Sequence, residues 1–438
     1  MRGGGRNATY AGSPASVAFR IRSMFSYLTN FNLMFGSILL VVIQAVFALP
    51  WLYALSPKSF IATVTSPKGL AQAIAFVLGL GIALALLLGY NSQSSRLEWG
   101  GRAYGIILHY SMLAGLYFWA IPTFLHLFFP KMGAVALAAY REAWRQPLFW
   151  LIIVGATAVT WLAVVLPYFT FGDDYKMMKQ IGFDIILLAT LIFGTLAASI
   201  GVSEEIEGRT AITVMSKPIS RRSFLLGKFF GVLMACAAMA LILAVNMNGA
   251  LLANREFDQI NMDRALAAEA MSDQVKDEIV PKVQSVFPSG PTAVIAKGAA
   301  MWLGESLPLA IGVLLIFGKV MILVAIATAL ATRLHFIVSL VSVLFVYLAG
   351  HLSSVVVGAT SKSDVGAGGK LVGFLAKIFD VIMPALEFFN MGPAIIRETP
   401  ISFWPFAIYS STVFGYSIIF TAIALVIGLL LFEDRDLA

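Results

Sequence analysis

The sequence is short of charge. Asp, Glu, Lys and Arg make up 12% of its 438 residues, about half the share usual in a soluble domain. It has a single cysteine, Cys236, inside an apolar run. That excludes an intrachain disulfide and a cysteine metal cluster, and leaves Cys236 as a small packing residue. The four histidines, His109, His126, His335 and His351, are isolated and show no metal-ligand spacing. No serine or cysteine nucleophile motif stands out, and Asp184 is a lone acid near the start of an apolar run. A phosphate-cradling loop needs Gly-x-x-x-x-Gly-Lys-Ser/Thr. The nearest stretch, Gly368-Gly369-Lys370-Leu371, lacks the first glycine, and Leu371 offers no hydroxyl to a magnesium ion. The expectation is a chain with no catalytic residues, no metal site and no cofactor of its own: not an enzyme.

Hydrophobic residues are abundant instead, at 59%. They gather in runs near 33–55, 71–91, 104–129, 148–168, 182–203, 229–253, 307–331, 336–357 and 404–431. A helix needs about 20 apolar residues to cross a bilayer, so the predicted fold is an all-α integral membrane protein of about nine transmembrane helices. The first run is too long for a signal peptide and lacks a small-residue cleavage site. The formal charge of +7 is spread between runs. It fits loops that set orientation and meet anionic lipid, and not a nucleic-acid-binding face.

Two segments between runs are long. Residues 254–305 carry mixed charge and a Pro288-Ser289-Gly290-Pro291 turn signal, predicting a small helical cap outside the bilayer. Residues 358–403 open glycine-rich, then place Leu371, Phe374, Leu375, Ile378, Phe379 and Ile382 at helical spacing, predicting an amphipathic helix in the interface. Neither is large enough to be an enzyme domain.

The most specific stretch is Ser203–Phe230. Glu204, Glu205 and Glu207 open it, and Arg209, Lys217, Arg221, Arg222 and Lys228 follow. Thr210–Met215 can form a short helix that Lys217-Pro218 must end, because proline disfavours the α conformation of the residue before it. Ser220 then reads as the N-cap of the next helix. This puts Arg221 and Arg222 in a first turn, where cations oppose the helix dipole. Something outside that helix must compensate, and lipid phosphate or a protein partner are the two expectations.

This stretch resembles the cytoplasmic loop of ABC-2 type transporter permeases. Glu204, Glu205, Glu207 and Thr210 match the family's acidic stretch, Ser216–Arg221 its Ser-Lys-Pro-Ile-Ser-Arg turn, and Phe224–Lys228 its next helix start. Tyr140–Trp150 resembles the family's elbow helix, with Arg141, Trp144 and Arg145 at the interface and Pro147 opening the following span. There Arg141, Glu142 and Arg145 can face water while Leu137, Tyr140 and Trp144 meet lipid. Leu431–Leu437 resembles the family's short charged tail. The resemblance covers 131–438 and implies a six-span permease unit with 254–305 outside the cytoplasm. Residues 1–130 form an extension with about three membrane-associated helices. The resemblance further implies a multi-pass protein of the bacterial inner membrane that forms a homodimer or pairs with a related permease. The implied function is export, driven by a separate ATPase subunit that binds the ATP. Coupling would run through Glu204, Glu205, Glu207, Arg209, Thr210, Lys217, Pro218, Ser220, Arg221 and Arg222.

Lys319 falls near the middle of a run, where a charge is expensive unless it faces protein or water. It either marks a pathway or snorkels to the headgroups. The early runs conflict with the charge rule. If all three cross, Arg2, Arg6, Arg20 and Arg22 lie outside, against the positive-inside tendency. The 104–129 run, with Pro122, is the least suited to crossing. Two other functions stay open on composition: an ion-gradient-driven transporter, which needs paired intramembrane acids or broken helices, and a non-transporting membrane scaffold.

Overall fold

Proline opens five of the helices, at Pro57, Pro67, Pro130, Pro147 and Pro291. The first helical position needs no N–H and suits the fixed φ of the ring, so one helix can stop and the next begin within a residue or two. The computed structural model describes residues 29–90, 94–166, 174–207, 220–257, 275–287, 289–362, 383–390 and 403–433. The α-helices are α1 (Phe31–Leu55), α2 (Pro57–Thr65), α3 (Pro67–Tyr90), α4 (Ser94–Phe128), α5 (Pro130–Arg145) and α6 (Pro147–Val165). They continue with α7 (Asp174–Glu207), α8 (Arg221–Phe257), α9 (Val280–Val286), α10 (Pro291–Ala331), α11 (Phe336–Lys362) and α12 (Phe403–Glu433). A short π-helix, Val275–Ile279, precedes α9, and a 3-10 turn, Leu386–Phe389, lies between α11 and α12.

Among the described residues, eight helices are long and apolar enough to cross a membrane: α1, α3, α4, α6, α7, α8, α10 and α12. The apolar part of α11, Phe336–His351, is a shorter one. The all-α membrane fold read from the sequence is therefore observed. Two boundaries differ from the sequence reading. The 307–331 run is the C-terminal part of one continuous helix that starts at Pro291, so 291–305 is not a separate cap. The turn before it is where the sequence put it, with Gly290 at φ +94°, in the left-handed region that glycine enters freely. The 104–129 run belongs to one 35-residue helix that continues through Pro122. The predicted interfacial helix at 371–382 lies outside the described residues, as does the Gly368–Leu371 stretch.

The chain forms two compact units. One comprises 1–120 with 272–306, the other 121–271 with 307–438. In the first, Leu33, Leu40, Ala85, Leu88, Leu97 and Ile295 form a buried cluster. The Tyr104 hydroxyl donates to the Leu40 carbonyl at 2.8 Å, and His109 meets Ser306 at 3.0 Å. A histidine that the sequence left isolated thus has a hydrogen-bond partner.

In the second unit, α7, α8 and the 307–331 part of α10 are the inner elements: the apolar stretches of these helices are 67%, 67% and 72% buried, against 28% for α6 and 33% for α12. Cys236 packs fully buried on α8. The elbow α5 lies against α8 through small residues, Ala136, Ala139 and Ala143 being buried. A Cβ at Gly231 would sit 2.5 Å from the Ala139 Cβ and 2.6 Å from the Ala136 carbonyl oxygen. Only a bare backbone allows that approach, the usual device where helices meet in lipid. Gly231→Leu should therefore destabilise the protein by about 3 kcal/mol, at the upper end for overpacking. Thermal unfolding of the purified chain checks this, with Gly155→Leu as the control. A Cβ at Gly155 meets open space and should leave unfolding unchanged.

Candidate functional site

Two places in the second unit collect polar groups. The first is the end where α7 stops and α8 starts. Ser220 is the N-cap, its Oγ accepting the Ser223 N–H at 3.2 Å. Arg221 and Arg222 occupy the first turn of α8, and their compensation is intrachain. Arg221 Nη1 donates to the carbonyls of Phe432 at 3.2 Å and Glu433 at 2.9 Å. Arg222 donates through Nε and Nη2 to Glu433 Oε1 at 3.0 and 2.9 Å. Arg333, in the turn between α10 and α11, donates through Nε to the Leu431 carbonyl at 2.7 Å. Three guanidinium groups thus clamp the last turn of α12, where orphan carbonyls and the helix dipole favour cations. The sequence left lipid phosphate or a protein partner as the compensating group for Arg221 and Arg222; the end of α12 supplies compensation within the chain, and the Arg222 side chain stays 69% exposed.

Beside the clamp, Lys228 is 7% exposed. Its Nζ donates to Glu142 Oε2 of the elbow at 3.2 Å and to Glu205 Oε1 of α7 within hydrogen-bond distance. One buried cation therefore ties α5, α7 and α8 together. Arg141 and Arg145 of the elbow are exposed. Trp144 is half-buried, with ring centroids 5.0 Å from Phe149 and 5.3 Å from Trp150, so it packs on the start of α6. The backbone at Glu204 and Glu207 is helical, extending α7 to Glu207. Arg209, Thr210, Lys217 and Pro218, with the predicted helix over 210–215, lie outside the described residues.

The second place is a cavity of about 200 Å³. Gln180 and Asp184 of α7, Lys319 of α10, Tyr347 and His351 of α11, and Asn390 line it. Lys319 is 4% exposed, with Nζ 2.8 Å from His351 Nε2. The opposite ring nitrogen, Nδ1, lies 2.7 Å from the Tyr347 carbonyl oxygen. A carbonyl only accepts, so Nδ1 carries the hydrogen and Nε2 accepts from the Lys319 ammonium. The Lys319 side chain is buried within the second unit. At ~1.5 Å per residue it lies about 18 Å before the end of α10, held inward by a histidine.

Irregular chain reaches the same depth. A Cβ at Gly350 would lie 2.8 Å from the Pro384 carbonyl oxygen and 2.9 Å from the Leu386 side chain, so glycine lets the 384–389 segment close against α11. Phe389 is buried and lines the cavity with Lys319. Non-helical backbone at span depth is tolerated where protein covers it or where it borders a polar cavity.

Residues 143–271 match the family model described as ABC-2 family transporter protein. That segment is similar to ABC-2 type permeases. The match runs from the end of the elbow, through the Ser203–Phe230 stretch, to the end of α8 and beyond. No curated protein and no solved structure matches the chain significantly. With eight helices fit to span a bilayer, this is a multi-pass membrane protein, as in the bacterial inner membrane, and the family implies pairing with an ABC-type ATPase.

The sequence pointed to part of both places. It placed Ser220, Arg221 and Arg222 in the right turn, and it singled out Lys319. It missed Lys228 as a buried junction, Glu433 and Arg333 as the other half of the clamp, and Asp184 and His351 as neighbours of Lys319. One signal was available for Lys228, which follows Gly227 on the face of α8 that receives the elbow. No sequence signal joins Asp184, Lys319 and His351, which come from three separate helices.

Proposed function

We propose that this permease is the membrane-spanning subunit of an ATP-driven exporter. Two copies, or this chain and a related one, enclose a path, and two ATPase subunits that bind the ATP dock at the end bearing residues 204–222. The observation that supports this reading is the way that end is built. The stretch within the family match leaves α7 at a junction bonded to the elbow through Lys228 and enters α8 at a clamp bonded to α12 through Arg221 and Arg222. A push on the intervening loop therefore reaches four helices at once. ATP-driven closure of the ATPases would shift the spans between two states by making different contacts with this loop in each.

Co-expression with a Walker-motif ATPase from the same gene neighbourhood, followed by affinity purification, tests the partnership. Replacing 210–216 with a glycine-serine segment is expected to reduce both co-purification and ATP-dependent transport at least tenfold. If both persist unchanged, coupling does not run through this loop.

The cavity supports a second reading, an ion-gradient-driven transporter. Asp184 and Lys319 share it with irregular chain at span depth, and transporters of that kind build sites from such parts. Transport by vesicles holding the chain without any ATPase, driven by a pH or sodium gradient, would favour this reading over the first.

A further inference from the structure

We propose that the cavity around Lys319 binds a small zwitterion, a solute with one anionic and one cationic group. This rests on the reading of the chain as a transporter and names a substrate class for it. The cavity holds two side chains that are ordinarily of opposite charge, Asp184 from α7 and Lys319 from α10. They share it without a direct ion pair among the described residues. Charges at this depth are costly unless they meet a partner or water, and a fold that only needed them neutralised would bring them together. Here space is kept between them. Each has help in facing that space. Gln180 lines the cavity beside Asp184, and His351 takes one N–H of Lys319. An ammonium has three donors, so two remain for an anionic group.

Single-charge ligands fit less well. An anion would satisfy Lys319 and face Asp184, whereas a cation would do the reverse. A zwitterion satisfies both, its anionic end at Lys319 and its cationic end at Asp184. The size agrees. A cavity of roughly 150 Å³ can take up benzene, so about 200 Å³ suits a solute of about six to ten heavy atoms. Phe389 and Asn390, at the end of the 3-10 turn, form part of one wall.

The test is equilibrium binding of radiolabelled glycine betaine to the purified full-length chain, with unlabelled glycine betaine, β-alanine, acetate and tetramethylammonium as competitors. The expected result is saturable binding displaced by both zwitterions, with acetate and tetramethylammonium at least tenfold weaker. Lys319→Met and Asp184→Asn should each weaken binding at least tenfold, and exposed Lys297→Met should leave it unchanged. No saturable binding overturns the proposal, as does equal displacement by acetate, which would make this an anion site. Variants that elute as monodisperse protein and bind as wild type also overturn it. If a variant does not elute so, the competition series on the wild-type chain decides alone. Co-purification with the ATPase is scored separately, so loss of the zwitterion site and loss of the ATPase partnership are read independently.

Discussion

Lys228→Met is expected to destabilise the protein by about 3 kcal/mol, the lower end for breaking a buried ion pair by removing one partner. Lys228 has an 8% exposed side chain, and its two partners differ. Glu142 is 57% exposed and can turn to solvent when the ammonium is gone, so its loss of a partner costs little. Glu205 is 26% exposed and has less solvent to turn toward. Its carboxylate would be left at the junction of α5, α7 and α8 without the cation that offsets its desolvation. An adjoining cavity of only about 20 Å³, lined by Glu142, Gly201 and Lys228, has room for about one water, which softens the loss without cancelling it. Adding Glu205→Gln should restore most of the stability, because the neutral amide no longer needs the ammonium. Thermal unfolding of the two purified variants against wild type measures both steps. A single variant that unfolds like wild type, or a double variant no better than the single, would show that the junction is not held by this pair.

The helices were legible because each apolar run is long and proline or serine marks where several begin. Pro147 and Ser220 were placed correctly from local chemistry alone. The boundaries that failed did so for a physical reason. Residues 291–305 are less apolar than the run that follows, and hydropathy reports burial in lipid, whereas a helix ends where hydrogen bonding ends. The site was legible only one residue at a time. A mid-span lysine announces itself, but His351 and Asp184 look ordinary until α11 and α7 are packed beside α10. Arg221 and Arg222 announced an electrostatic problem, cations against a helix N-terminus, without saying what solved it. The solution is the carboxylate and the last carbonyls of a helix that ends 211 residues beyond Arg222, a separation no local pattern encodes.

That solution makes a distinguishing prediction about energy transfer. Arg222→Glu is expected to cut ATP-dependent transport at least tenfold while leaving the protein folded. The Arg222–Glu433 bridge is exposed at both ends, 69% and 43%, and a bridge of that kind is worth about 1 kcal/mol or less to stability. Its worth to coupling is different. The substitution reverses the charge that faces Glu433, and adding Glu433→Arg restores an opposite pair. The double change should therefore recover transport. Arg221→Glu should behave otherwise. Arg221 donates to the backbone carbonyls of Phe432 and Glu433 and lies 5.9 Å from the Phe432 ring centre. A carboxylate there meets carbonyl oxygens that no side-chain swap can reverse, so adding Glu433→Arg should give no rescue. The measurement is ATP-driven uptake into inverted vesicles, with co-purification of the ATPase and thermal unfolding run on the same variants. Rescue at Arg222 and none at Arg221, with ATPase still bound, assigns the clamp to transmission from the loop to α12. Full transport in both single variants would show that α12 is not driven through these arginines, and transport lost together with the ATPase would move them from transmission to docking.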